Sequence, residues 1–224
     1  MEIHRIHLLG DQFQMGIKER KQREKELRRQ QILEAAKELL ILKGLKFGTI
    51  EEIASKAELN PATIYNYFAS KDHLHASLAL ISLQDLVKNV RKINENKKLS
   101  VESKIRNFKD AIYRTYEADP SLFRNILQFQ LSTDFDNLDD EMLGQFNDQY
   151  RRLLNMFADV YEEGVRIGKF KKGHKMTYAD IFFGTFIGLL FWEDAKNRVN
   201  NKKDFFHSTL NTAFEALIEG VKKK

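Results

Sequence analysis

Two prolines and eleven glycines in 224 residues leave long runs of chain with nothing to interrupt a helix. A turn-rich β architecture needs such punctuation every few residues, so their scarcity predicts an all-α protein of long helices. Hydrophobic residues make up 42% and charged residues 31%, enough apolar material for a core and too much for a disordered chain. The length allows about one or two domains. Zero cysteines exclude disulfides, thiolate zinc sites, cysteine nucleophiles and Fe–S clusters, and suit a reducing compartment. The most apolar run, Ile181 to Trp192, is 12 residues long, whereas a bilayer span takes roughly 20. The opening residues MEIHRIHLLGDQF hold too short an apolar stretch for a secretory signal. The expectation is a cytoplasmic protein without a membrane partner.

Residues 1–16 show no helical period, and Met15-Gly16 offers a second start, so residues 1–14 need not belong to the native chain. The stretch 1–22 reads as a flexible basic leader, in which His4 and His7 have no organised metal site. From Lys18 to Lys46 there are ten Lys/Arg against five carboxylates, an excess equal to the net +5 of the whole chain. One reading is a solvated helix face laced with pairs such as Glu24–Arg28. The other is a basic arm beside a phosphate backbone. Ile32, Ala36, Leu39 and Leu40 recur at helical spacing, and Gly44 is a suitable stop.

The segment after Gly44 narrows the choice. Thr49-Ile50-Glu51-Glu52 forms a capping box, in which a hydroxyl caps the helix and the glutamate three residues on reaches back. Ile53, Ala54 and Ala57 mark the inner face of the short helix that follows. Asn60-Pro61 then starts a second, PATIYNYFA, with an amide cap and a proline whose missing N–H costs nothing at the first helical position. Ser70 caps a third. Two short helices joined by a tight turn make a helix-turn-helix. In such a unit the first turn of the second helix meets base edges while its neighbours hold phosphates. Pro61, Ala62 and the Thr63 methyl suit a thymine methyl, Asn66 can pair with adenine through its amide, and Tyr65 and Tyr67 reach phosphates with their hydroxyls. Ile64 and Phe68 belong to the core. No residue from Pro61 to Ser70 is charged, so Lys46, Lys56, Lys71 and the Lys18–Arg29 arm must supply the salt-dependent attraction.

The run TIEEIASKAELNPATIYNYFASKDHL, residues 49–74, closely resembles the DNA-binding signature of TetR-family transcriptional regulators, on Thr49, Ile53-Ala54, Tyr65, Phe68 and Lys71. The resemblance covers roughly residues 28–75. It implies that Thr49 and Lys71 hold backbone phosphates. Glu58 stands where the family's turn usually carries glycine, which predicts a strained turn. The implied organisation is a helix-turn-helix DNA-binding domain over residues 23–72. A larger helical effector-binding and dimerisation domain follows over 73–224.

Ala79, Leu83, Leu86, Val90 and Ile93 stripe a linker helix over 71–95. Further helices are expected over 101–118, from Asp119-Pro120 to Leu131, over 140–167 up to Gly168, and over about 176–199 and 203–222. The five carboxylates from Asp134 to Glu141 have no calcium-loop spacing and read as a solvated loop, so no metal is expected. The penultimate helix, YADIFFGTFIGLLFW, is apolar on nearly every side and so needs a partner. The resemblance implies dimerisation through the last two helices, here through Gly184, Gly188, Phe191, Leu210, Phe214 and Leu217. Gly184 and Gly188 would permit close approach. An apolar effector cavity would be lined by Phe108, Phe123, Phe129, Phe157 and Phe182, with Tyr113, Gln128, Tyr150 and Tyr178 as polar contacts. No nucleophile elbow, phosphate-binding glycine loop or His-Glu-x-x-His pair occurs, so neither an enzyme nor a cofactor is expected. The expected function is a homodimeric repressor that binds a palindromic operator in double-stranded DNA and is released by a small apolar effector. The alternative is a helical carrier of an apolar metabolite with a vestigial reading head.

Overall fold

The computed structural model describes residues 2–43, 48–118, 120–199 and 205–223, with the backbone alone for 2–15, 17, 121, 122, 125, 126, 128 and 198. Among these residues all regular structure is helical, as the shortage of breakers predicts. The helices are α1 (Glu2–Lys43), α2 (Ile50–Lys56), α3 (Pro61–Tyr65), α4 (Lys71–Asn94), α5 (Val101–Ala118), α6 (Pro120–Gln130), α7 (Asp140–Arg166), α8 (Lys175–Val199) and α9 (Phe206–Val221). A 3-10 turn at Phe135–Asn137 precedes α7. Among the described residues no helix is long and apolar enough to cross a membrane.

The chain divides into two compact units. The first holds residues 1–79 and 119–138. Its core is Ile32, Leu33, Ala36, Ile50, Ile53, Ala54, Ile64, Phe68, Leu74 and Leu78, with Leu39, Leu59 and Tyr67 packed against it. The predicted stripe on α1 therefore meets the inner faces of α2 and α3. Arg29 seals the edge, its guanidinium 5.0 Å from the Phe68 ring and within 3.2 Å of the Ser77 hydroxyl. The unit also takes in α6, where Phe129 lies 4.1 Å from the buried His75 ring and 5.8 Å from Phe135. A cut at residue 72 leaves α6 with the body; the compact unit keeps it with the head.

Residues 2–22, expected to form a flexible leader, lie within α1. From Glu2 onward the backbone belongs to α1, a single helix of 42 residues. From Lys18 to Gln31 the chain is almost wholly Lys, Arg, Glu and Gln, all strong helix formers. Arg20 pairs with Glu24 at 3.0 Å and Arg28 bonds Gln31 at 2.8 Å, in place of the expected Glu24–Arg28 pair. From Lys18 to Arg28 every side chain is exposed, so that stretch carries no apolar period for a sequence reading to find.

The second unit holds residues 80–118 and 139–224. Asp139 caps α7 by accepting from Met142 N at 2.8 Å. Gly168, at φ +78, ends it as expected. The Phe108 ring packs tilted against Phe157 with centroids 4.7 Å apart, and Phe182 stacks near Phe214 at 6.2 Å. Cations on α5 reach its neighbours. Lys104, buried, meets Glu163 of α7 at 2.9 Å, and Arg106 grips Glu215 of α9 through two bonds of 2.6 and 2.7 Å. Such bidentate geometry fixes helix register as well as adding energy.

Candidate functional site

The α2–α3 unit is built from local hydrogen bonds that begin at Thr49. Its hydroxyl accepts from Glu52 N at 3.3 Å, and Glu52 Oε2 accepts from Thr49 N at 2.9 Å, which completes the capping box. The other Glu52 oxygen holds Lys43. Lys43, and then the Thr49 amide, keep the Glu52 carboxyl below its ordinary range. Thr49 uses a lone pair for the cap and keeps its own proton to donate outward.

At the other end of α2, Glu58 N donates to Ser55 O at 3.2 Å and Leu59 N to Ala54 O at 2.8 Å. That pair of bonds is a Schellman motif, and its geometry puts Glu58 in the left-handed region at φ 55. The strain expected from the missing glycine is present. Leu59 drops into the head core, and Asn60 Oδ1 then accepts from Ala62 N at 2.9 Å to open α3 on Pro61.

α3 itself is short and closes on Asn66, and backbone bonds from Tyr67 and Phe68 to Ile64 O carry one further turn. Ile64 and Phe68 point inward and are buried, as expected. Ala62, Tyr65 and Asn66 stand exposed on one face at i, i+3, i+4 spacing, Tyr65 with 55% of its surface in solvent. Pro61 and Thr63 flank them, half-buried, and Tyr67 turns back to pack on the core. Lys71 is exposed at the start of α4, whose cap is the Ser70 hydroxyl accepting from His73 N at 3.1 Å. Lys46 lies outside the described residues. Lys56 is tied to Glu38 at 2.7 Å, which draws it away from a phosphate role.

The residues expected to line an effector cavity divide between the two compact units. Phe129 and the half-buried Phe123 belong to the first unit. Phe108, Phe157 and Phe182 are buried core residues of the second. Half-buried Tyr113 stands among Tyr116, Phe206 and His207, half-buried Tyr150 lies 6.5 Å from Phe183, and Tyr178 stacks on Tyr161 at 4.1 Å. The Gln128 side chain lies outside the described residues.

Of the residues expected at a dimer interface, Leu210 and Phe214 are 0% and 1% exposed within the chain's own second unit. Their places in the interface are corrected, because a side chain spent on the monomer core has no surface left for a partner. Gly184 and Gly188 are exposed, and a Cβ on either would meet nothing within 4 Å. Phe191 and Leu217 are half-buried. Ile181, 41% exposed, and Trp192, 60% exposed, extend the glycine stripe along α8.

A capped helix pair with a small, uncharged reading face, built on a head of few helices and joined to an all-helical body, defines a helix-turn-helix DNA-binding protein. Residues 32–78 match the model of bacterial regulatory proteins of the tetR family, the same span over which the head core runs from Ile32 to Leu78. The match to the tetR family thus covers the N-terminal head of the chain. The chain is similar to the fatty acid metabolism regulator protein of Bacillus subtilis (strain 168), 24% identical over 196 residues, 87% of this chain and 95% of that one. Its fold is similar to that of the FadR regulator from Bacillus subtilis in complex with stearoyl-CoA, at TM-score 0.65 and 20% identity, over 86% of this chain and 98% of that one. It is also similar to the ketosteroid regulator KstR2 of Mycobacterium tuberculosis, at TM-score 0.65 and 17% identity, over 88% and 96% of the two chains. The relatives are transcriptional regulators, not enzymes.

Proposed function

We propose that the chain is a cytoplasmic repressor that binds a palindromic operator as a homodimer and releases it on taking up a long-chain fatty-acyl thioester. The exposed face Ala62, Tyr65 and Asn66, held by Ile64 and Phe68 beneath it, carries the DNA part of the reading. Asn66 reads adenine, Ala62 and the Thr63 methyl meet thymine methyls, and Thr49, Tyr65, Tyr67 and Lys71 hold phosphates. Two heads follow from two-fold symmetry, spaced for major grooves about 34–36 Å apart. The stripe Ile181, Gly184, Gly188 and Trp192 supports pairing through α8, with Phe191 beside it and Leu217 on α9.

The relatives named for fatty acid metabolism and for stearoyl-CoA support the effector class. The aromatic content of the body supports an apolar ligand. α4 gives its first residues to one compact unit and the rest to the other, so a ligand that shifts α4 respaces the heads.

Fluorescence anisotropy on the chain's own upstream DNA, against a scrambled duplex across a salt series, tests the reading. Tight binding to the native fragment alone, with at least two chains per site, is expected. Stearoyl-CoA should weaken it by about tenfold or more, within the usual range of allosteric coupling, and free coenzyme A should not. Equal, salt-erased binding to both duplexes together with tight stearoyl-CoA binding overturns it in favour of an apolar carrier.

A further inference from the structure

The uncharged recognition helix leaves an electrostatic gap. Attraction to DNA scales with the number of phosphates neutralised, and α3 neutralises none. Lys43 and Lys56, the cations beside α2, are engaged by Glu52 and Glu38. Beyond Lys71 at the start of α4, the positive charge near the reading face among the described residues lies on α1.

There the head carries an open groove of about 660 Å³, with Lys21, Lys25 and Arg28 along one wall and Asn66 and Tyr67 at the other. The three cations sit at i, i+4, i+7, so they share one face of α1, and all three are exposed. The far wall is the end of the reading element itself. Arg28 is not loosely placed. Its Nη1 donates to Gln31 Oε1 at 2.8 Å, and Gln31 Nε2 donates to the Ala57 carbonyl at 2.7 Å. That relay ties the guanidinium to the α2–α3 turn, so the cationic wall holds its register against the reading face, and Arg28 keeps further N–H donors for a ligand. Glu24 is the one carboxylate among the groove's lining residues, and Arg20 holds it at 3.0 Å.

We infer that this groove seats the DNA sugar-phosphate backbone, with Lys21, Lys25 and Arg28 contacting phosphates beside the bases that α3 reads. The inference deepens the DNA-binding reading and rests on it. It gives α1 a role as a helical clamp, continuous with the head core through Ile32 and Leu33. These contacts carry no sequence information; they set affinity and its dependence on salt.

The test uses the full chain and a mixed-sequence duplex of about 30 base pairs, with the logarithm of affinity followed against the logarithm of salt concentration. The variant Lys21→Gln/Lys25→Gln/Arg28→Gln keeps strong helix formers throughout, and circular dichroism checks its helicity. Each phosphate contact contributes about 0.9 to the slope, so the triple variant should flatten it by about 2 to 3 per head. Its preference for the native upstream fragment over a scrambled duplex should not change. Glu24→Gln should bind the mixed duplex severalfold more tightly, a gain that misfolding cannot produce. A wild-type chain that binds DNA with a slope both changes leave intact overturns the clamp and spares the reading of α3. A wild-type chain that binds no duplex overturns both.

Discussion

Glu58 is the residue at which the head departs from the TetR-family pattern it resembles, and its cost can be measured. At φ 55 an L residue brings its Cβ against the backbone, at about 1–2 kcal/mol. Glycine removes that clash but loses more entropy on folding, about 0.5–1 kcal/mol. The balance predicts that Glu58→Gly stabilises the head by about 0.5–1 kcal/mol. Chemical denaturation followed by circular dichroism reads the change, and amide exchange on α2 and α3 locates it, since the chain's single tryptophan, Trp192, lies in the other unit. A neutral or destabilising Glu58→Gly would mean that the turn accommodates glutamate without strain. The other caps were readable in advance for the same reason as this turn. Thr49 with Glu52, Asn60 with Ala62 and Ser70 with His73 each bond within three residues, so sequence spacing and spatial contact are nearly the same quantity.

At the scale of elements that equivalence fails. The stripe on α9 shows that Leu210 and Phe214 are buried, but the period does not say whether the chain's own helices or a partner cover them. In the same way Phe108 and Phe157, chosen for a cavity, touch each other inside the core. The α7–α8 junction was not legible at all, because its contacts join residues that no local signal relates. A Cβ on Gly164 would stand 2.1 Å from the Phe170 ring, and one on Gly173 would stand 2.5 Å from Tyr178. Phe170 also bridges to Lys222 beyond α9. At the centre, the buried Tyr161 donates its proton to Lys171 O at 2.6 Å. Burial, and then the neighbouring Tyr178 hydroxyl, push the Tyr161 phenol up to about 12. The unfolded phenol ionises near its ordinary value of about 10. Above pH 10 the unfolded state therefore binds fewer protons than the folded one, and stability falls as pH rises. The contribution of Tyr161 is present in full below pH 10 and is lost between pH 10 and 12. Tyr161→Phe should cost about 1 kcal/mol at neutral pH through the lost hydrogen bond. It should also flatten the decline of the urea midpoint over that alkaline window. An unchanged alkaline slope would remove Tyr161 from the account.

For the whole molecule, one head reads only a few base pairs, so the proposed function requires two, and α8 offers the face that could join them. Ile181, Gly184, Gly188 and Trp192 place exposed apolar surface beside glycines whose missing side chains no neighbour in this chain requires. An isolated chain should welcome a side chain at Gly188, since replacing glycine in a helix interior gains up to about 1 kcal/mol. A close helix–helix interface should reject it, because the glycine is then what lets the two backbones approach. Gly188→Gln separates the cases without threatening the fold. The expected outcome is a chain that melts no lower than the original but sediments as a monomer. It should lose at least about a hundredfold in operator affinity, because the second head no longer binds at the raised effective concentration that linkage provides. The groove on α1 and the face on α3 are untouched by this change, so each head should keep its weak, salt-sensitive affinity for a mixed duplex. Sedimentation velocity and anisotropy on one sample read both quantities. A Gly188→Gln chain that remains dimeric and keeps its operator affinity would move the interface off α8, and the spacing of the two heads would then have to be derived from another face.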